Sequence, residues 1–239
     1  MPIYDQSFRH YEGPRRTSGL WRVVAWQTLR PILRSKIALL LLFGVLIHIT
    51  FYSVVMYIGA TTLKALPEAQ AEQAAAMAAE QGIPMFNRKV GLNTILFQFL
   101  MVESGLVWLL VLVTGGGVIS SDLRNAALPL YFSRPLRPHD YILGKIMGLA
   151  AAPVVVVSVA VLLIYMQAIA YFFGAADLVR QSRLLFCAIG YVVLSALEVS
   201  ILMAACSSAC RKASTAAVAF FGFYAIAGAV ANLAQRGLR

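Results

Sequence analysis

Glu103 and Glu198 are the two carboxylates that stand inside long apolar runs of this chain. An unpaired charge at that depth of a bilayer costs a few kcal/mol, so such a group either serves a polar pathway or is neutralised by a neighbour. By residue count each lies roughly 10–14 residues, or about 15–21 Å, from the end of its run that is reckoned external. One reading makes them contacts to a transported solute or a gate along a dimer interface. The other makes each a protonated Glu hydrogen-bonded to an adjacent helix. If both face one cavity, a cationic or amphipathic solute is favoured. The other reactive side chains are sparse. His10, His48 and His139 are scattered, and His48, alone in its run, reads as a hydrogen-bonded packing residue. Cys206 and Cys210 share a helix face at i, i+4, but small polarizable packing residues explain them better than a metal or redox pair.

Chemistry that is absent narrows the field. GxxxxGK[ST] does not occur, and Gly115–Gly117 is followed by no Lys-Ser/Thr pair, so the chain has no phosphate-binding loop of its own. Close helix packing or a helix end explains that glycine triplet. HExxH, GxSxG and a paired-Cys zinc spacing are likewise missing. No nucleophile–base or metal constellation supports an enzyme.

The elements that must position these residues are long and apolar. Of 239 residues, 60% are hydrophobic and only 13% charged, with a mean hydropathy of +0.77. A soluble domain is roughly a quarter charged. Five runs approach or exceed the ~20 residues that cross a hydrocarbon core: Ile37–Ala60, Asn93–Ile119, Ile146–Phe173, Leu184–Cys206 and Thr215–Ala234. The alternating pattern of a membrane barrel is absent. The fold class is therefore all-α, a polytopic transmembrane bundle of five to six spans. Residues 1–36 form an N-terminal segment and 37–234 a single transmembrane domain, with an external loop at 61–92, a cytoplasmic loop at 120–145 and a tail at 235–239.

The net charge of +10 sets topology. Lys and Arg gather before the first run, between the second and third, and between the fourth and fifth, so the N-terminus is expected in the cytoplasm. The first run is too long for the apolar core of a cleavable signal and reads as a retained anchor. Ahead of it, Ser18–Ser35 has helical periodicity. Trp21, Ala25, Leu29 and Ile32 fall on one face, and Gln27, Arg30 and Arg34 on another. With Trp26 this is an amphipathic helix suited to the membrane interface, with membrane lipids as its partners; the competing reading is a soluble helix that covers another subunit. Pro31 is expected to bend it where the chain enters the membrane. In the external loop, Pro67–Gln81 reads as a short helix stopped by Gly82 and Pro84.

The segment with the most chemistry is ISSDLRNAALPLYFSRPLRPHDYILGK, Ile119–Lys145. Ser121 or Asp122 is expected to cap a short helix, Leu123–Leu128, that ends near Pro129. Leu123, Ala127 and Leu130 offer an apolar ridge. Tyr131 and Phe132 are anchors rimmed by Arg124, Arg134 and Arg137. Aromatics and arginines on a short exposed helix are what a protein-docking surface needs.

This segment resembles the signature loop of the ABC type-2 permease family. In that family an acidic residue leaves the second span and a short helix follows. A Ser-Arg-Pro element comes next, and Tyr-Ile/Leu-Leu-Gly-Lys opens the third span. Asp122, Ser133-Arg134-Pro135 and Tyr141–Lys145 occupy those places here. The resemblance implies a dimeric membrane half, built with a second copy or a paralogue and served by separate ATPase subunits that hold ATP and magnesium; this chain binds no cofactor. It implies that Asp122, Leu123, Arg124, Leu128, Pro129, Tyr131, Arg134 and Pro135 form the ATPase-coupling element, and that the membrane is the bacterial inner membrane. The family usually has six spans, whereas here the sequence reaches Arg239 after a fifth run. The preferred expectation is a truncated or naturally short form; a re-entrant fifth run or a sixth span supplied by a partner are the others. The expected function is the permease subunit of an ATP-binding-cassette exporter, with no nucleic-acid partner. The competing readings are an ATP-independent secondary transporter that uses Glu103 and Glu198, and a membrane scaffold.

Overall fold

The computed structural model describes residues 19–67, 69–70, 73, 77, 92–128 and 136–237. The described residues contain helices and no strand. The helices are α1 (Leu20–Arg34), α2 (Lys36–Ala65), α3 (Leu92–Gly115), α4 (Ser120–Arg124), α5 (Pro138–Phe172), α6 (Ala175–Arg180), α7 (Ser182–Ala209) and α8 (Ala213–Gly237). Five helical stretches are long and apolar enough to cross a membrane: 36–61, 92–124, 138–172, 182–209 and 213–231. The chain is thus a multi-pass, all-α membrane protein. The fifth apolar run is one continuous helix rather than a re-entrant pair. Most of the external helix expected over Pro67–Gln81 lies outside the described residues.

Side chains facing outward are mostly Leu, Ile, Val and Phe, which suits a bundle solvated by lipid, where only the backbone must be satisfied internally. The core sits around α5, which packs against α1, α2, α3 and α7. One apolar cluster, with Tyr52, Phe99, Ile164 and Tyr165, joins α2, α3, α5 and α7 far from α1. A second, with Ile32, Ala38, Leu149, Met203 and Phe220, gathers all five spans and α1 at the opposite end. Contacts fix the directions. Tyr52 donates to the Ile95 carbonyl (2.9 Å) and His48 meets Glu103, so α2 and α3 are antiparallel. Gly115 abuts Met203, and the Ile119 N–H reaches Ser207, so α3 and α7 run the same way.

Two sequence expectations about the N-terminal helix need correction. Pro31 lies within α1, and the chain turns at Ser35 instead (φ −73°, ψ 123°). Ser35 is at once the end of α1 and the cap of α2, where its hydroxyl accepts from the Ala38 N–H at 3.4 Å. Pro31 leaves the Gln27 carbonyl without its i+4 donor, yet the helix runs on to Arg34. The buried face is centred on Val24, Thr28 and Ile32, with Trp21, Ala25 and Leu29 at its margin. That face is occupied by protein. Trp21 and Val24 pack at Gly144, Ala25 and Thr28 one turn further at Gly148, so α1 lies along the opening turns of α5 in the same direction. Val23, Trp26 and Leu33 remain exposed, with Arg30 among them at helical spacing.

Candidate functional site

The two ends of the 120–145 segment are tied together. Asp122 Oδ2 accepts from the Tyr141 hydroxyl at 2.7 Å and pairs with Lys145 Nζ at 2.7 Å. Tyr141 is buried (3% exposed), and the Lys145 ammonium also lies 5.4 Å from its ring centroid. The residue that leaves the second span is therefore clamped to the first two turns of the third. α5 starts on Pro138, whose missing N–H costs nothing at a helix start, with Asp140 in the first turn facing the positive end of the helix dipole. That start places Tyr141 and Lys145 one turn apart, on the same side.

The helix holding Asp122 differs from the expected one. It spans Ser120–Arg124 rather than starting at Leu123, and no side chain caps it. Ser121, an expected cap, donates instead to the Gly117 carbonyl, and Asp122 is taken by Tyr141 and Lys145. The helix stops because Ala126 adopts a left-handed conformation (φ 49°). Leu123 and Arg124 are exposed and Leu128 is half-buried. Pro129, Tyr131, Arg134 and Pro135 lie outside the described residues.

Ser207 of α7, which sequence reasoning passed over, holds the break between α3 and α4. Its hydroxyl accepts from the Ile119 and Ser120 N–H groups, each at 3.0 Å, and donates to the Gly116 carbonyl at 2.9 Å. The break satisfies its backbone through one fully buried side chain. The glycines are required for approach: a Cβ on Gly115 would sit 2.5 Å from Met203 Cγ, and one on Gly116 2.6 Å from the Ala213 carbonyl oxygen. Ser207→Ala is expected to leave two buried donors unmet and to lower unfolding free energy by roughly 1–3 kcal/mol. Unfolding of the purified protein in mixed micelles reads this, and an unchanged midpoint would refute the role.

The two intramembrane carboxylates are not brought together. Glu103 is fully buried and its Oε1 lies 2.7 Å from His48 Nδ1. The His48 ring stacks on Phe99, with centroids 5.1 Å apart. Glu103 Oε2 has no hydrogen-bond partner. The expectation that His48 is a hydrogen-bonded packing residue thus describes its surroundings, and its partner is the carboxylate itself. Glu198 is exposed on α7, on the side towards Tyr224 of α8. It does not face a bundle interior within one chain.

A cavity of about 450 Å³ opens between α1, the end of α3 and the start of α5, with Thr28, Thr114, Ser121, Asp122 and Lys145 in its walls. A second hollow of about 420 Å³ adjoins it along α1 and is flanked by Arg30 and Arg34. Of the remaining interface-helix residues, Trp21 lies 5.5 Å under the Arg22 guanidinium and Trp26 is 59% exposed. No cluster of three metal-ligating side chains occurs among the described residues.

The clamp lies within the 27-residue stretch that carries the permease-like motif, and the glycine-packed break immediately precedes it. The family model described as ABC-2 family transporter protein matches residues 22–238, starting within α1 and running to the end of α8. No curated protein and no solved structure matches the chain. A match of that extent takes in the clamp, the break and every span, and the chain accordingly belongs to the ABC-2 family of transporter proteins.

Proposed function

We propose that this permease is the membrane-spanning half of an ATP-driven exporter. It works as a dimer, with a second copy or a paralogue, and is driven by separate ATPase subunits that carry ATP and magnesium. In this reading the α1 end of the bundle faces the cytoplasm of a bacterial cell, across the inner membrane, and residues 120–145 seat on the ATPase. The clamp of Asp122 to Tyr141 and Lys145 carries the reading. A motor that pushes on a surface segment does work on the spans only if that segment is fastened to them. Here one short helix, offering Leu123 and Arg124 to a partner, follows the second span directly across the Ser207-held break and is bonded to the third. Nucleotide binding then shifts the population of two bundle arrangements, because the docked partner favours one of them.

The test is purification of the tagged chain from its native membranes in mild detergent, followed by flux and ATPase measurements on what copurifies. A near-stoichiometric P-loop ATPase is expected. Tyr131→Ala or Arg134→Glu should leave hydrolysis running while transport falls at least tenfold. Normal coupling in both variants would sink the docking assignment. A preparation free of any ATPase would favour the secondary-transport reading, which the buried Glu103–His48 pair supports as a proton or cation site. The same flux assay decides the pathway role of the carboxylates: unchanged transport in Glu103→Gln and Glu198→Gln removes it.

A further inference from the structure

The cavity behind α1 and the hollow beside it form one groove, since Gln27, Pro31 and Ser35 belong to the walls of both. Its charges are unequal. Asp122 is neutralised by Lys145, whereas no carboxylate among the described residues pairs with Arg30 or Arg34. The groove therefore presents two guanidiniums that no described carboxylate compensates, and the Lys145 ammonium has N–H donors beyond the one directed at Asp122. Further in, the pattern reverses from donors to acceptors. The Thr28 and Thr114 hydroxyls spend their protons on the Val24 and Leu110 carbonyls (2.9 and 2.7 Å), which leaves oxygen lone pairs for a visitor. Pro31 has no N–H to offer the Gln27 carbonyl, so that turn of α1 has an acceptor to spare. Val24, Ile32, Val113 and Val118 give the groove apolar walls. Outside it, the exposed Val23, Trp26 and Leu33 place this stretch of α1 against lipid.

We propose that the groove seats the headgroup of an anionic, hydroxyl-bearing phospholipid. Arg30 and Arg34 hold the phosphate oxygens in forked hydrogen bonds, the chemistry for which guanidinium is suited. The headgroup hydroxyls donate to Thr28, Thr114 and the Gln27 carbonyl, and the acyl chains leave along Val113 and the lipid-facing side of α1. The site depends only on the membrane placement of the chain, so it stands or falls independently of ATP-driven export. A soluble phosphate would use the same two arginines but gain nothing from the apolar walls.

Trp21 and Trp26 report on it in a chain whose third tryptophan, Trp108, is replaced by Phe. The full chain is reconstituted in phosphatidylcholine bilayers containing a minority of brominated phosphatidylglycerol or, in parallel, brominated phosphatidylcholine, and tryptophan quenching is measured. Several-fold stronger quenching by the brominated phosphatidylglycerol is expected. That preference should vanish in Arg30→Gln/Arg34→Gln and persist in Arg30→Lys/Arg34→Lys. Gln27→Phe keeps every charge but fills the neck between the two hollows, and it should abolish the preference too. Equal quenching by the two lipids would overturn the proposal. So would a preference that survives Gln27→Phe, because charge acting from the open surface would then explain it. A preference erased by inorganic phosphate would assign the groove to a soluble anion and overturn the lipid assignment.

Discussion

Gly148→Leu is expected to unseat α1 from the bundle. A Cβ at residue 148 would lie 2.5 Å from the Ala25 carbonyl oxygen and 2.6 Å from Thr28 Cβ. One at Gly144 would lie 2.7 Å from the Trp21 carbonyl oxygen and 2.6 Å from Val24 Cβ. The obstructing atoms are backbone oxygens and Cβ atoms, neither of which can rotate away, so the helices must separate. Inserting carbons into a packed contact costs about 1–3 kcal/mol, and parting the helices also gives up the dispersion contacts of Val24, Thr28 and Ile32. Roughly 3 kcal/mol in all is expected, or about a hundredfold in the docked population. The measurement is maleimide labelling of Thr28→Cys in a background lacking Cys187, Cys206 and Cys210. Labelling should be slow where Gly148 is kept and faster by about that factor in the Gly148→Leu variant. Gly105→Leu is the control, since a Cβ there meets nothing within 4 Å and labelling should not change. Equal labelling in all three proteins would show that α1 does not depend on this contact.

Asp122→Ala should release both ends of the 120–145 segment at once. It removes one acceptor from the buried Tyr141 hydroxyl and the counterion from Lys145, whose side chain is 12% exposed. Removing one member of a fully buried ion pair costs about 3–5 kcal/mol. Asp122 is 16% exposed, so water recovers part of that and about 2 kcal/mol is expected. Lys145→Met in the same chain removes the stranded ammonium and should restore most of the stability. A double-mutant cycle therefore reads a coupling of roughly 1–3 kcal/mol between residues 122 and 145. Transport should remain impaired in the double variant, because the fastening is gone although the fold is sound. Additivity within about 0.5 kcal/mol would show that the pair is not coupled in solution.

Much of the fold was legible because bilayer thickness imposes a length on apolar runs. Each of the five runs became a spanning helix, with ends displaced by up to eight residues. The largest shift came at α5, which starts at Pro138 rather than Ile146 because its polar opening turns are helical too. One signal was present and unused. Gly144-Lys-Ile-Met-Gly148 is a small-xxx-small stripe, the pattern by which helices approach closely. It names the side of α5 on which α1 lies. Ser207 carried no such signal, since a serine near the end of an apolar helix is commonplace. It matters only because the backbone breaks opposite it, at a place set by Gly115–Gly117.

Composition, charge placement and the motif from Asp122 to Lys145 by themselves determined that this is a helical membrane protein of the permease type, because those features follow from transfer energies and local spacing. Partnership was decided by the tertiary structure alone. Two intramembrane carboxylates that look equivalent along the chain ended differently, Glu103 fully buried against His48 and Glu198 exposed on α7. Asp122, read as a cap for its own helix, became instead the anchor of another. A side chain has several possible partners within its own turn of helix. Which one it takes depends on what distant segments bring within 3 Å, and that is settled only when the helices have packed.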